Sequence, residues 1–252
     1  KQMNKCLRLI RDKAFRLAVL GKHGLLNWMS DEQYLKARWR AIWHEELNLT
    51  HPQTYTEKLQ WLKIHDRKPI YTTMVDKLAA RDFVAARIGE EYLIPILASW
   101  DRFEDIDLDQ LPEQFVLKCT HDSGSYYICR DKSKFNRKIA KKKLKTSLNM
   151  NYFPRSREWP YKNAVPRIIA EPYLEDTQCK ELRDYKFFTF GGVPKVLYIT
   201  QGRGDDQKTT ADFFDMEFRH LDITIDHEMS EVLPRCPVNF ALMQELAAKL
   251  SQ

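Results

Sequence analysis

No C-x-x-C pair occurs anywhere in the chain, and its 5 cysteines (Cys6, Cys119, Cys129, Cys179, Cys236) are widely separated and odd in number. That excludes the usual zinc spacings and argues against a disulfide framework. Reduced thiols in a cytoplasmic protein are the simplest account. No apolar run approaches the length of a transmembrane helix. The first apolar residues are interrupted by Lys and Arg throughout, so this segment does not read as a secretory signal. Low-complexity tracts and internal repeats are absent, and the 11 prolines and 8 glycines are scattered. What remains is 43% hydrophobic with 12% aromatic residues, the composition of a packed globule rather than a disordered chain. A chain of 252 residues is long enough for one large domain or two intimate lobes.

Charge is distributed unevenly. The net charge is +6, and residues 1–30 alone carry Lys1, Lys5, Arg8, Arg11, Lys13, Arg16 and Lys22 against Asp12. Leu7, Ile10, Ala14, Leu17 and Ala18 recur there at helical spacing. Such a basic amphipathic helix suits either an anionic membrane surface or packing on the rest of the fold with a solvated charged face, and packing is favoured. The remainder is near neutral and carries no recognised nucleic-acid module, so no nucleic-acid partner is expected.

Along the chain, Asp31 to Leu47 reads as a helix capped by Ser30 or Asp31, with Trp39 and Trp43 on one face. A short helix over 56–63 follows, then a helix from Asp76 to Ile88 closed by Gly89. Leu93 to Leu97 reads as a strand start or edge because of Pro95. Asp131 to Leu148 is a strongly basic helix, read as a solvated outer face. Arg167 to Glu171 reads as a buried strand. Asp184 to Phe190 and Lys195 to Ile199 form a hairpin across Gly191-Gly192. Phe240 to Leu250 is an amphipathic helix whose apolar face requires a sheet. Helices first and hairpins later indicate an α+β protein.

The most informative stretch is Phe115-Val116-Leu117-Lys118, followed by the turn Cys119-Thr120-His121-Asp122-Ser123-Gly124-Ser125 and a second apolar run, Tyr126 to Cys129. A lysine on the inner face of a strand is costly unless it meets an anion. A Ser/Gly loop offers backbone N–H groups to a phosphate. Two readings stand side by side: a nucleotide held by loop and lysine, or an ordinary hairpin whose Lys118 reaches solvent along its stem. The loop residues show no evident core anchor.

Four pieces stand in order: Asp76-Lys77 opening a helix; Lys118 with its loop; Ile168-Ile169-Ala170-Glu171-Pro172-Tyr173-Leu174; and Asp184-Tyr185-Lys186. Further motifs are Pro52 to Leu62 (PQTYTEKLQWL), Tyr71 to Lys77 (YTTMVDK) and Arg157 to Lys162 (REWPYK). This set resembles the ATP-grasp superfamily, and more closely its TupA-like, teichuronic-acid-type branch, over most of residues 50–250. The resemblance implies an ATP-grasp two-lobe fold with a helical N-terminal extension over 1–50, a first lobe over 51–170 and a second over 171–252. It implies that Lys77 and Lys118 contact phosphate, that His121, Asp122, Ser123, Gly124 and Ser125 form a flexible lid, and that Glu171, Tyr173 and Leu174 lie at an adenine-binding hinge. Asp184 is similar in position to a ribose-binding carboxylate, and Lys186 is implied to reach phosphate as well; Lys118 and Lys186 are the implied catalytic residues. ATP and Mg²⁺ are the implied cofactors.

The family's two further strands, which carry the Mg²⁺ ligands, are expected beyond Gln252. Metal ligands within the chain stay unassigned, with Asp212 and Asp215 as candidates only. The implied activity is an ATP-dependent carboxylate–amine ligase working through an acyl phosphate in cell-surface polysaccharide biosynthesis. Its acid could be a uronic acid and its amine an amino acid, in the cytoplasm or at the inner membrane face. The alternatives are a glycosyltransferase, for which Asp105-Ile106-Asp107 and Asp107-Leu108-Asp109 lie in a poor context, and a non-catalytic nucleotide-binding module.

Overall fold

A computed structural model describes residues 5–175, 182–202, 209–225 and 227–252. Cys179 lies outside the described residues. The architecture is α+β, with two antiparallel four-stranded sheets. The chain divides into two compact units, one of Lys1–Arg81 and Pro95–Pro172, the other of Asp82–Ile94 and Tyr173–Gln252.

The first unit opens with helices α1 (Lys5–Arg11) and α2 (Lys13–Lys22), separated at Asp12. The Asp12 carboxylate accepts from Phe15 N and starts a new helix where periodicity alone suggests one continuous element. Helix α3 (Asp31–Trp43) begins at a capping box in which Ser30 and Gln33 satisfy each other's N–H groups. It stops at Trp43, because His44 turns left-handed at φ 61°. Helix α4 (Tyr55–His65) has the same device in Thr54 and Glu57. Leu26, Tyr34, Leu35, Trp39 and Leu47 form the core of this helical part.

Helices α5 (Ile70–Val75) and α6 (Ala80–Ile88) follow. The expected start of a helix at Asp76 shifts to Ala80. The Asp76 carboxylate accepts from Leu78 N (2.8 Å) and Ala79 N (2.9 Å), which makes a turn that places Lys77 before the helix. The strand expected over Leu93–Leu97 also moves. Glu90–Tyr92 is a 3-10 turn and the strand, β1, runs Ala98–Trp100.

Strands β1, β2 (Phe115–Cys119), β3 (Tyr126–Cys129) and β4 (Ile168–Pro172) assemble in the order β1-β4-β2-β3. Alternation along β2 sends Phe115, Leu117 and Cys119 into the core with Ile168 and Ala170. Helix α7 (Arg137–Leu148) covers that face with Ala140, Leu144 and Ser147 and leaves Lys138, Lys141, Lys142, Lys143 and Lys145 exposed. Helix α8 (Phe153–Ser156) ends at Arg157.

In the second unit, β5 (Asp184–Phe190) and β6 (Val193–Gln201) form the expected hairpin. Its turn needs φ of 55° at Gly191 and 81° at Gly192, a left-handed pair that glycine adopts without strain. Strands β7 (Thr210–Phe214) and β8 (His220–Leu221) complete the order β5-β6-β7-β8. Helix α9 (Phe240–Leu250) packs on β5 and β6, with Phe240 against Phe187 at 6.2 Å between ring centroids. The sheet its apolar face requires is therefore β5–β6, within the chain.

Candidate nucleotide-binding site

The period of two that buries Leu117 turns Lys118 to the opposite face of the sheet. There its neighbours across β4 are Ile169 and Glu171. The Lys118 ammonium is paired with the Glu171 carboxylate, the side chains being 25% and 11% exposed. A partly dry lysine thus has an anionic partner inside the protein, which the sequence reading left to a ligand. Glu171 enters the site as a carboxylate on Lys118, in addition to its place at the end of β4.

Lys77 is tied to the loop after β2. Its N–H donates to Thr120 O (3.0 Å). Its ammonium donates to Cys119 O (2.8 Å), Thr120 O (3.3 Å) and Asp122 O. Burial pushes the Lys77 pKa down, Asp122 pulls it back up, and the positive charge of Lys118 lowers it further. Lys77, far from Lys118 in sequence, is thereby brought to the carbonyl of Cys119, the residue after Lys118. Three carbonyls around one ammonium make Lys77 an anchor for the loop as well as a positive charge beneath it.

The loop itself is held from below, contrary to the expectation that it lacks a core anchor. His121 and Asp122 are buried, while Ser123 and Gly124 are exposed. His121 Nε2 lies 3.2 Å from Ser147 O and 3.1 Å from Met150 O. Two carbonyl partners require the proton on Nε2. Ser147 Oγ donates to Asp122 Oδ2, and Tyr152 OH donates to Ser123 O at 2.9 Å. Ser147, Met150 and Tyr152 were missed by the sequence reading. A signal was present for Ser147, a polar residue in the buried row 140, 144, 147 of an amphipathic helix, where a hydroxyl needs a polar partner.

Gly124 sits at φ 91° with open space where a side chain would be, so the tip can present its backbone. The N–H groups of His121, Asp122, Ser123 and Gly124 have no hydrogen-bond partner among the described residues. Unpaired N–H groups on a loop that follows Lys118 and holds Lys77 are the donor set that a phosphate chain requires. The residues present fit the phosphates of a nucleotide.

That geometry coincides with a family assignment. The sequence model of the TupA-like ATPgrasp family matches residues 57–252. The chain belongs to this family. No curated protein and no solved structure matches. The match begins inside α4, so α1 to α3 lie ahead of the part shared with the family.

The remaining residues implied by the resemblance to this ATP-grasp family are in the second unit. Lys186 Nζ donates to Asp184 Oδ2 at 2.7 Å and lies over the Tyr198 ring at 5.6 Å. Tyr173 and Leu174 follow directly on β4. The metal candidates are closed. Asp212 is fully buried, its carboxylate taken by His220 Nε2 (3.2 Å), Ser230 N (3.3 Å) and Ser230 Oγ (2.5 Å). Asp215 accepts from Glu217 N, Arg219 N and Arg219 Nε, which makes it the organiser of its own turn. Among the described residues no group of three or more His, Cys, Asp and Glu converges as a metal site. These carboxylates do not fit Mg²⁺.

Proposed function

We propose that this ATP-grasp protein is an ATP-dependent carboxylate–amine ligase of cell-surface polysaccharide biosynthesis. What supports the reading is the loop after β2, whose carbonyls hold the Lys77 ammonium, whose N–H groups over 121–124 are unpaired, and which follows directly on the strand that carries Lys118. The chemistry begins when a substrate carboxylate oxygen attacks the γ-phosphorus of ATP and the β–γ bridging bond breaks. ADP leaves and an acyl phosphate forms. An amine then attacks the acyl carbon, phosphate departs, and the amine proton is lost to solvent. Such a reaction needs charge stabilisation more than a positioned acid or base.

In this reading Lys118 leaves Glu171 for the triphosphate, and Ser123, Gly124 and Ser125 close on it through backbone N–H groups. Lys77, His121 and Asp122 hold that loop in shape. Glu171, Tyr173 and Leu174 offer groups to adenine. Asp184 and Lys186 are proposed as ribose and phosphate contacts on the resemblance alone. Magnesium is the cation such phosphoryl transfer uses, and no residue is assigned to it. The acid is proposed as a uronate and the amine as an amino acid. Incubating the protein with ATP, Mg²⁺, uronates and amino acids tests the reading. ADP and an amide are the expected products; AMP, or UDP released from a nucleotide sugar, would refute it.

A cytoplasmic location at the inner membrane face is part of the proposal. No helix among the described residues is long and apolar enough to cross a membrane. Ile10, Leu25 and Trp28 are exposed beside Arg8, Arg11, Lys13 and Lys22, which suits an anionic lipid surface. Co-sedimentation with vesicles containing phosphatidylglycerol, and not with phosphatidylcholine alone, is the expected result.

A further inference from the structure

Helices α3 and α4 line a cavity of about 230 Å³, built largely from residues ahead of the family match. Its walls include Trp39, Ile42 and Trp43, with Arg38, Gln60 and Lys63 as polar groups, and no lining residue is acidic. The indoles of Trp39 and Trp43 are 5.6 Å apart at 37°, which makes an aromatic corner.

The donors of this cavity outnumber their acceptors. Trp39 is nine-tenths buried, and its indole Nε1 is buried with no partner among the described residues. Arg38 Nε on the preceding residue is in the same condition, although Arg38 Nη1 donates to Arg155 O at 2.8 Å. Lys63 donates to Gln60 Oε1 (3.2 Å) and Ser156 O (3.1 Å), which uses two of its three N–H bonds. Burial lowers the Lys63 pKa, Glu158 partly offsets this, and the charge of Arg38 lowers it again. One N–H bond of the Lys63 ammonium is left without an acceptor on the cavity wall, where buried donors are ordinarily paired. Two cationic side chains favour an anion, and the indole corner favours a flat or pyranose ring.

We infer that this cavity binds a small organic carboxylate carried on a six-membered ring. The carboxylate accepts from Lys63 and the Arg38 guanidinium, and the ring lies against Trp43 and Ile42. The inference is independent of the nucleotide reading, because none of these residues belongs to the Lys77–Lys118 site.

The test is titration of the whole chain with benzoate, D-glucuronate, acetate, D-glucose and inorganic phosphate, followed by tryptophan fluorescence and saturation-transfer NMR. Benzoate or D-glucuronate should saturate below about 10 mM, and the better of the two tells an aromatic from a sugar ring. Acetate, D-glucose and phosphate should each bind at least about tenfold more weakly. Lys63→Gln should weaken the ring carboxylate about tenfold, with ATP binding unchanged. Trp43→Ala, at a half-exposed position, should weaken it severalfold and keeps the test valid if Lys63→Gln unfolds. Failure of both ring carboxylates to saturate, equal binding of acetate or glucose, or wild-type affinity in Trp43→Ala would overturn the inference.

Discussion

Replacing Lys118 by Met separates two roles that the Lys118–Glu171 pair combines. In the free protein the ammonium neutralises a carboxylate that is only 11% exposed. Breaking a fully buried pair from one side costs about 3–5 kcal/mol, and exposed pairs are worth about 0–1. Lys118 keeps a quarter of its side chain in solvent, so about 2 kcal/mol is the expected loss. For a chain of this size that lowers the melting temperature by about 4–8 °C. ATP binding should fall further, by about 10–100-fold, because a charge-assisted hydrogen bond to phosphate is worth about 1.5–3 kcal/mol. The double variant Lys118→Met/Glu171→Leu distinguishes the two effects. It leaves no uncompensated charge, so the melting temperature should return to near that of the native protein, while ATP binding stays lost. Glu171→Gln alone should tighten ATP, since Lys118 no longer has to leave a carboxylate. Calorimetric titration and thermal unfolding measure both quantities. Native ATP affinity in the double variant would refute the phosphate role of Lys118. A double variant as unstable as Lys118→Met would refute the pairing argument.

Three further outcomes follow from the structure. Arg157 is 2% exposed, donates to Leu26 O at 2.8 Å, lies 3.3 Å from Asp31 Oδ1 and stacks 4.5 Å from the Tyr34 ring. Arg157→Ala should therefore cost about 3–5 kcal/mol in urea unfolding, and a loss under about 1 kcal/mol would show that these contacts carry little. Ser147→Ala removes the hydroxyl on Asp122 and should raise amide hydrogen exchange at Cys119 and Thr120, whose N–H groups donate to Ser125 O and Arg167 O, with ATP weakened severalfold; native exchange rates there would contradict the anchoring. Lys145 and Lys141 hold the Glu104 carboxyl at about 2, below its ordinary 4.5. Because the folded value is the lower one, the stabilisation is complete above pH 4.5 and disappears as pH falls from there toward 2. The stability difference between the native protein and Glu104→Gln should shrink across that window, and a constant difference would exclude the assignment.

Local chemistry alone determined much of this protein. The caps at Ser30 and Thr54, the glycine pair at 191–192 and the apolar period of Phe240 to Leu250 are contained within a few residues, so the elements they specify were legible in advance. The order of Lys77, Lys118, the Ser/Gly loop and Asp184-Tyr185-Lys186 was enough to identify the family. Element boundaries were less legible where a side chain competes with the helix, as the Asp12 and Asp76 carboxylates do by accepting from N–H groups two or three residues on. The partners of charged groups could not be read at all. Sheet register sets Glu171 beside Lys118, and the packing of α7 brings Ser147 and Met150 to His121 and Asp122. Those contacts join residues tens of positions apart, and no local spacing encodes them. Tertiary structure therefore decided that the loop is anchored at its base and open at its tip, because only packing determines which buried polar groups are satisfied from within and which N–H groups remain for a ligand.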